Sequence, residues 1–344
     1  MIRATLARHD FAAAEAFAQE VCWRTYWKGW LEMRPAVWTR YESAVRESAG
    51  RRESCPRYRE AVEGRTGIPC FDAFVIELRE TGYLHNHARM WFASIWIFTL
   101  DLRWEWGADF FLRHLLDGDP ASNTLSWRWV GGLQTSGKFY AATPDNIRRF
   151  TSGRFPHPGE LKIPSGPLVE IDSLPTPRNL PARGLEPPRE PVGALLTEDD
   201  VSGWRWIAGL YPVCALAGLV PREAYQRRKV EAKVLSFREA LMGDALNSGM
   251  AEGLASHFLD VGDPDAAVEW AMGAKLKTVV MIEPAVGYWD RIKPDLQNGL
   301  AAAGIELVWL RRPWDDQLHP HATAGFFRFK KRLPGLAETI MGRP

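Results

Sequence analysis

Apolar and aromatic residues recur at intervals of three and four through most of the first 150 residues. This spacing places them on one face of an α-helix, and Phe17, Trp23 and Trp27 share such a face. Glu20 and Arg24 lie within the same face, so two charged residues interrupt an aromatic stripe. Residues 1–150 are therefore predicted to form an all-helical domain. The predicted helices cover 11–49, 69–80, 85–103 and 107–116, and 117–123 is predicted to be a loop leading into the next helix.

Proline density and strand-like runs divide the rest of the chain. Ten of the 24 prolines lie between Phe155 and Pro191. Because this density disfavours regular structure, residues 151–191 are predicted to be an extended connector. Beyond it, β-type runs at 192–197, 278–283 and 305–310 alternate with helical stretches at 229–257, 264–274 and 288–303. The predicted fold class is α + α/β, with a helical domain followed by a small parallel α/β domain over 192–344.

Charge and cysteine content narrow the classes of protein. Lys and Arg number 43 against 42 Asp and Glu, a formal net charge of +1, so contact with nucleic acid would need a local basic patch. The cysteines form no CxxC pair, which argues against a disulfide framework and against zinc or iron–sulfur sites, and no metal is expected. With no signal peptide and no apolar run of membrane-spanning length, a cytoplasmic protein is expected. The four cysteines are Cys22, Cys55, Cys70 and Cys214.

Two polar clusters lie in predicted helices that are otherwise aromatic or apolar. Glu20 and Arg24 flank Trp23, and an intrahelical ion pair is the structural alternative to a binding role. Asn86 and Arg89 open a predicted buried helix and share one of its faces, so they project toward the same space. A helix cap and a structural ion pair are the alternatives for this second pair.

A third polar cluster lies at the start of the next helix. Asp117 and Asp119 flank Gly118, and Asn123 follows within one helical turn of Asp119. A capped turn explains the pattern equally well, as does a calcium-like run that lacks the required later glutamate. Two tryptophans, Trp127 and Trp129, follow the cluster.

Taken together, the clusters resemble in order and spacing the FAD-binding domain of the photolyase/cryptochrome superfamily. The resemblance covers a little over a third of the chain and runs through residues 20–24, 63–69, 81–90, 117–123 and 127–129. It implies an FAD-dependent photolyase that uses blue light to cleave cyclobutane pyrimidine dimers in UV-damaged DNA, by electron transfer from photoexcited reduced flavin. The alternative is a cryptochrome-like light receptor, or a flavin-binding module without repair activity.

The resemblance also implies the cofactor site. Asn123 would face the flavin N5, as in photolyases rather than in plant cryptochromes, and Arg89 would pair with Asp117 as a buried ion pair. Such a pair tunes the protonation and redox states of the ring. The implied FAD-binding residues are Glu20, Arg24, Asn86, Arg89, Asp117, Gly118, Asp119 and Asn123. The antenna pigment is left unknown.

Lesion binding and electron transfer are implied by the same family. Trp23 and Trp129 match the aromatic walls that hold a flipped dimer. Members that act on the (6-4) lesion carry a histidine pair where this chain has Asn86 and Met90, so cyclobutane dimers are the expected substrate. The implied lesion residues are Glu20, Trp23, Asn86, Met90 and Trp129. Trp127 and Trp104 match the first two members of the tryptophan chain that photoreduces the flavin, while residues 48–58, where the third would lie, contain no tryptophan.

Two features depart from the family pattern. Family members carry an antenna-binding α/β domain and a Thr/Ser-rich loop for the FAD phosphates before the helical domain, and neither precedes Met1 in this sequence. We therefore expect the chain as given to hold FAD weakly. Segments 193–200 and 324–333 bear a weaker resemblance to parts of the antenna domain, placed here after the flavin domain. The basic residues of 328–332 are expected to be a solvated helix end, with contact to nucleic acid as the alternative.

Overall fold

Contacts divide the chain into two compact units. The computed structural model describes residues 2–135, 137–170, 172–181, 183, 190–259 and 264–333. The first unit comprises residues 1–178 with 318–344, and the second comprises 179–317. This division differs from the expected boundaries, because the connector as far as Arg178 and the segment that begins at Leu318 belong to the helical unit.

The first unit is built from helices, and the predicted helix over 11–49 is two helices. The chain turns at Arg34, and Pro35 opens the second helix, where a missing backbone N–H costs nothing. The Asp10 side chain caps the first of the two by accepting from the Ala13 N–H at 2.7 Å. The helices are α1 (Ile2–Leu6), α2 (Phe11–Glu32), α3 (Pro35–Glu47), α4 (Ala49–Ser54), α5 (Pro56–Glu63), α6 (Pro69–Thr81), α7 (Asn86–Ser94), α8 (Trp104–His114), α9 (Pro120–Gly131) and α10 (Pro144–Phe150).

The predicted helix over 85–103 ends earlier than its apolar run. After α7, the residues Ile95–Thr99 form a π-helical turn, and Asp101 then adopts the left-handed conformation with φ 53°. The Trp96 indole N–H donates to the Arg103 carbonyl at 2.9 Å, which ties this turn to the start of α8. Hydrophobicity alone predicted one long buried helix and could not show this break.

The second unit is a parallel α/β fold, which confirms the predicted fold class. Its strands lie in the order β3-β2-β1-β4-β5, and all pair in parallel. The strands are β1 (Val192–Thr197), β2 (Val213–Leu219), β3 (Ala255–Leu259), β4 (Thr278–Ile282) and β5 (Glu306–Leu310), and the helices are α11 (Gly203–Ala208), α12 (Arg222–Arg227), α13 (Ala232–Ala251), α14 (Pro264–Gly273), α15 (Ile292–Ala302) and α16 (Pro313–Leu318). Among the described residues, no helix is long and apolar enough to cross a membrane.

Two of the five strands were not predicted. The helical stretch expected over 229–257 ends as α13 at Ala251, and Gly253, with φ 89°, turns the chain into β3. Strand β2 is a short apolar run, which periodicity alone cannot distinguish from a buried helical segment.

The segment that begins at Leu318 returns the chain to the helical unit. It contains a 3₁₀ turn (His319–His321) and helix α17 (Phe326–Lys330), which packs against α2. Part of this segment had a weak resemblance to an antenna domain, yet it lies with the helices.

Candidate functional site

A cavity of about 500 Å³ opens in the helical unit, between helices α2, α7, α8 and α9. Its wall combines carboxylates, guanidinium groups and amides with indole and phenyl rings. The lining residues include every site residue that the family resemblance implied except Trp104: Glu20, Trp23, Arg24, Asn86, Arg89, Met90, Asp117, Gly118, Asp119, Asn123, Trp127 and Trp129. Residues separated by up to 109 positions in the sequence thus share one space.

Asp119 is the buried charge of the site. Its Oδ1 accepts from the Ser122 N–H at 2.7 Å and caps α9, which Pro120 opens. Its Oδ2 lies 3.2 Å from Lys28 Nζ and 3.6 Å from Arg24 Nη2, with 8 % of the side chain exposed. Burial alone would raise the pKa of the Asp119 carboxyl, but the two cations and the Ser122 amide hold it below its usual range. The carboxylate therefore joins α2 to the start of α9.

Asp117 lies in a more open environment than expected. Arg89 Nη2 donates to its Oδ2 at 3.0 Å, so the implied ion pair is present. However, 57 % of the Asp117 side chain and 26 % of the Arg89 side chain are exposed, so the expectation of a buried pair is wrong. Arg89 is held independently of this partner, because its Nε donates to the Leu84 carbonyl at 2.8 Å and its guanidinium lies 5.5 Å from the Tyr83 ring centroid.

Asn123 is fixed by a backbone contact. Its Nδ2 donates to the Ala108 carbonyl of α8 at 2.9 Å, and the residue is buried. Since this bond uses one of the two amide N–H donors, the carboxamide oxygen and the second N–H remain for a ligand in the cavity. The side chain thus takes a defined orientation from its packing on α8.

Trp127 packs directly on α8, where a glycine makes room for it. A Cβ atom at Gly107 would lie 2.2 Å from Trp127 Cη2, so no larger residue fits without moving the indole. The ring centroid of Trp127 lies 5.1 Å from Phe111 and 6.2 Å from Trp96. The sequence carries no signal for the role of Gly107, since that role depends on a contact between two helices.

Trp104 is the implied residue that lies away from this cavity. It borders a second cavity of about 390 Å³ in the same unit, together with Arg128 and Glu170. Its ring stacks on Tyr41 at 5.7 Å, and the Arg128 guanidinium lies 5.7 Å from its centroid. Trp96 is the tryptophan in ring contact with Trp127, and it lies 5.9 Å from Tyr58.

Several functional candidates were missed by sequence reasoning. Lys28 forms the shortest ion pair of Asp119, and its position one helical turn after Arg24 is the signal that would have found it. Phe111 and Ser122 line the cavity and carry no distinctive motif. Within the described part of the chain, no three His, Cys, Asp or Glu side chains form a group that could hold a metal ion.

Comparison with known proteins identifies the same region. Residues 17–151 match the family described as the FAD binding domain of DNA photolyase. The deoxyribodipyrimidine photo-lyase of Streptomyces griseus is 38 % identical over 122 residues, covering 35 % of this chain and 26 % of that protein. The corresponding enzyme of Salmonella typhimurium is 26 % identical over 238 residues, covering 67 % of this chain and 43 % of that enzyme. The deoxyribodipyrimidine photo-lyase of Thermus thermophilus is 46 % identical over 76 residues, covering 22 % of this chain and 18 % of that enzyme.

These matches are partial on both sides. In each, the chain spans less than half the length of the relative. No solved structure matches the chain.

Asp117 and Asp119 both line the cavity, but asparagine substitutions at the two positions should differ in their effect on stability. We expect Asp119→Asn to lower the free energy of unfolding by roughly 2–4 kcal/mol, because it leaves Lys28 without its buried counter-charge. The asparagine keeps the helix cap, so the loss reports the charge. Asp117→Asn, at an exposed pair, should cost about 1 kcal/mol or less. Urea unfolding at neutral pH measures both, and equal losses would contradict the assignment.

The dependence of the free energy of unfolding on pH tests the role of Asp119 independently. The pKa of Asp119 is lower in the folded chain than in the unfolded chain, so its contribution is complete at neutral pH. That contribution is lost as the pH falls below about 4, the ordinary value of an aspartate, toward the folded pKa. Asp119→Asn should therefore flatten the acid side of the stability profile, and an acid side as steep as that of the wild type would contradict the assignment.

Proposed function

Since residues 17–151 match the family described as the FAD binding domain of DNA photolyase, we propose that this chain binds FAD and uses blue light to cleave cyclobutane pyrimidine dimers in DNA. The observation that carries the proposal is the single cavity of about 500 Å³. Its wall holds both the residues implied for the flavin and those implied for the lesion. Electron transfer between two molecules requires them to be close, and one shared cavity supplies that closeness.

The residues of the cavity fit the chemistry of FAD. The volume lies within the range of small-molecule sites, roughly 300–1,000 Å³. Arg24 and Arg89 offer cations to an anionic cofactor, and Trp127 and Phe111 offer aromatic faces to a flat ring. When bound, FAD supplies the absorption of light and the electron.

On the flavin side, the chain's own groups would orient the ring. Asn123 would present its carboxamide to the polar edge of the ring, in the orientation set by the hydrogen bond from its nitrogen to Ala108. Arg89 and Asp117 would close the open edge of the site, and FAD binding would remove water from their pair. A pair that is exposed in the free chain would then interact more strongly.

On the lesion side, Trp23 and Trp129 would hold the dimer between aromatic surfaces. Both indoles line the cavity and are partly exposed, so a base entering from solvent can reach them. Stacking of a base on an aromatic side chain contributes about 1–3 kcal/mol. A dimer is poorly stacked in the duplex, which lowers the cost of flipping it into such a site. Glu20 and Asn86, both exposed, would supply hydrogen bonds at the cavity edge.

A second candidate is a flavin-binding light receptor without repair activity. The observation that favours it is the formal net charge of +1, which provides no overall attraction for the phosphate backbone. In this case the cavity would still bind FAD, but Trp23 and Trp129 would not bind DNA.

A repair assay distinguishes the two candidates. We expect the protein, reconstituted with FAD and a reductant, to restore an oligonucleotide that contains one thymine dimer under blue light and not in the dark. Trp129→Ala should weaken dimer binding by about 10-fold, as expected for the loss of one stacked base. Bound FAD without any light-dependent product would reject repair and favour the receptor.

Electron supply to the cavity wall gives a further prediction. Trp127→Phe should slow photoreduction of bound FAD by an added reductant at least 10-fold while leaving FAD affinity unchanged, since phenylalanine keeps an aromatic ring but is a much poorer electron donor than tryptophan. Trp104→Phe and Trp96→Phe then show which of these two residues passes the electron to Trp127. Transient absorption measures the rate of electron transfer in each variant. Trp309→Phe, in the α/β unit, is the control. Unchanged photoreduction in Trp127→Phe would contradict the assignment.

A further inference from the structure

The C-terminal segment 318–333 is bound to helix α2 by contacts along its length. A Cβ atom at Gly29 would lie 2.8 Å from the His319 Cα atom, so the two backbones touch at a residue without a side chain. Phe329 is fully buried, with its ring 5.4 Å from that of Tyr26. Polar contacts of the segment include Tyr26 Oη to the Ala324 carbonyl at 2.7 Å and Lys330 Nζ to Glu15 Oε1 at 3.2 Å, both with α2, and Arg34 Nη2, just after α2, to the Thr323 carbonyl at 2.7 Å.

This segment places one aromatic ring, that of Phe326, against Trp23, which lines the cavity. Phe326 stacks on Trp23 with a centroid distance of 3.5 Å and an interplanar angle of 13°, and 5 % of Phe326 is exposed. Tyr26 meets Phe326 edge-on at 5.4 Å, which fixes the phenyl ring from the side. One face of the Trp23 indole is therefore covered, while Trp23 still lines the cavity.

The second aromatic wall has a similar arrangement. Trp129 stacks on Tyr140 at 5.8 Å with an interplanar angle of 24°. Tyr140 is anchored by its backbone N–H, which donates to the Val130 carbonyl at 3.0 Å. Each indole that lines the cavity on the lesion side thus has an aromatic neighbour behind it.

We propose that Phe326 is a positioning residue for lesion binding, which it serves by holding the Trp23 indole in place so that the part of the ring that lines the cavity receives a base of the dimer. The inference rests on the proposed function. An indole that is already fixed loses less rotational freedom when a ligand stacks on it, so the ligand binds more tightly. Dimer recognition by the helical unit would then depend on a residue more than 300 positions from Trp23.

The affinity for damaged DNA in the dark tests this role. We expect Phe326→Ala to weaken binding of a single-stranded oligonucleotide with one thymine dimer by about three- to tenfold, the range for an aromatic pair. Binding of the undamaged oligonucleotide and FAD content should not change. Phe326→Tyr should bind as the wild type does. Phe327→Ala, on the same helix with 76 % exposure, is the matched control.

A second variant and a cycle separate positioning from loss of fold. Phe326→Leu keeps apolar volume without a flat face, so it should retain the melting temperature and still lose dimer affinity. In a Trp23→Ala background, Phe326→Ala should have no further effect, because the pair acts as a unit. Additive losses, or tighter dimer binding by Phe326→Ala, would overturn the proposal.

A measurement without DNA keeps this proposal distinct from the proposed function. With 5-fluorotryptophan incorporated, the ¹⁹F resonance of Trp23, assigned by its loss in Trp23→Phe, should shift or broaden in Phe326→Ala and stay in place in Phe327→Ala. A resonance that does not move overturns the positioning role. A wild-type protein that shows this shift but no preference for dimers would reject the proposed repair function alone.

Discussion

The Asp119 carboxylate is the point at which the helices of the cavity are tied together. It caps α9 through the Ser122 amide and pairs with Lys28 and Arg24 of α2. Because a buried charge without partners is strongly unfavourable, α9 can begin only where the α2 cations reach it. The start of α9 in turn sets the positions of Asn123, Trp127 and Trp129, which line the same cavity one to three turns later.

Close packing fixes the remaining freedom of these side chains. Gly107 admits the Trp127 ring against α8, and the Ala108 carbonyl holds the Asn123 amide. On the other wall, Phe326 covers one face of Trp23. Asn123 and Trp127, which we propose face the flavin, are therefore positioned by α8 and α9, whereas Trp23, on the proposed lesion side, is contacted by the C-terminal segment. A site assembled this way is largely formed before any ligand binds.

Local patterns in the sequence were sufficient to predict the fold class, whereas the residues that line the cavity were implied together by a family resemblance. Glu20, Asn86 and Asp117 stand at helix positions or turns that spacing can identify. The sequence was insufficient for features that depend on contacts between residues far apart in the chain. The exposure of Asp117, the place of Trp104 beside a second cavity and the return of 318–333 to α2 are set by packing between elements. Strands β2 and β3 were missed because short apolar runs fit helix and strand equally.

In the proposed function, a flavin and a dimer occupy one cavity, close enough for direct electron transfer. The excited-state lifetime of bound, reduced FAD tests it most directly, measured by time-resolved absorption with and without a dimer-containing oligonucleotide. We expect a lifetime that shortens when the dimer is present and does not change with undamaged DNA of the same sequence. A lifetime unaffected by saturating dimer would contradict it, because the two molecules would then lie too far apart to react.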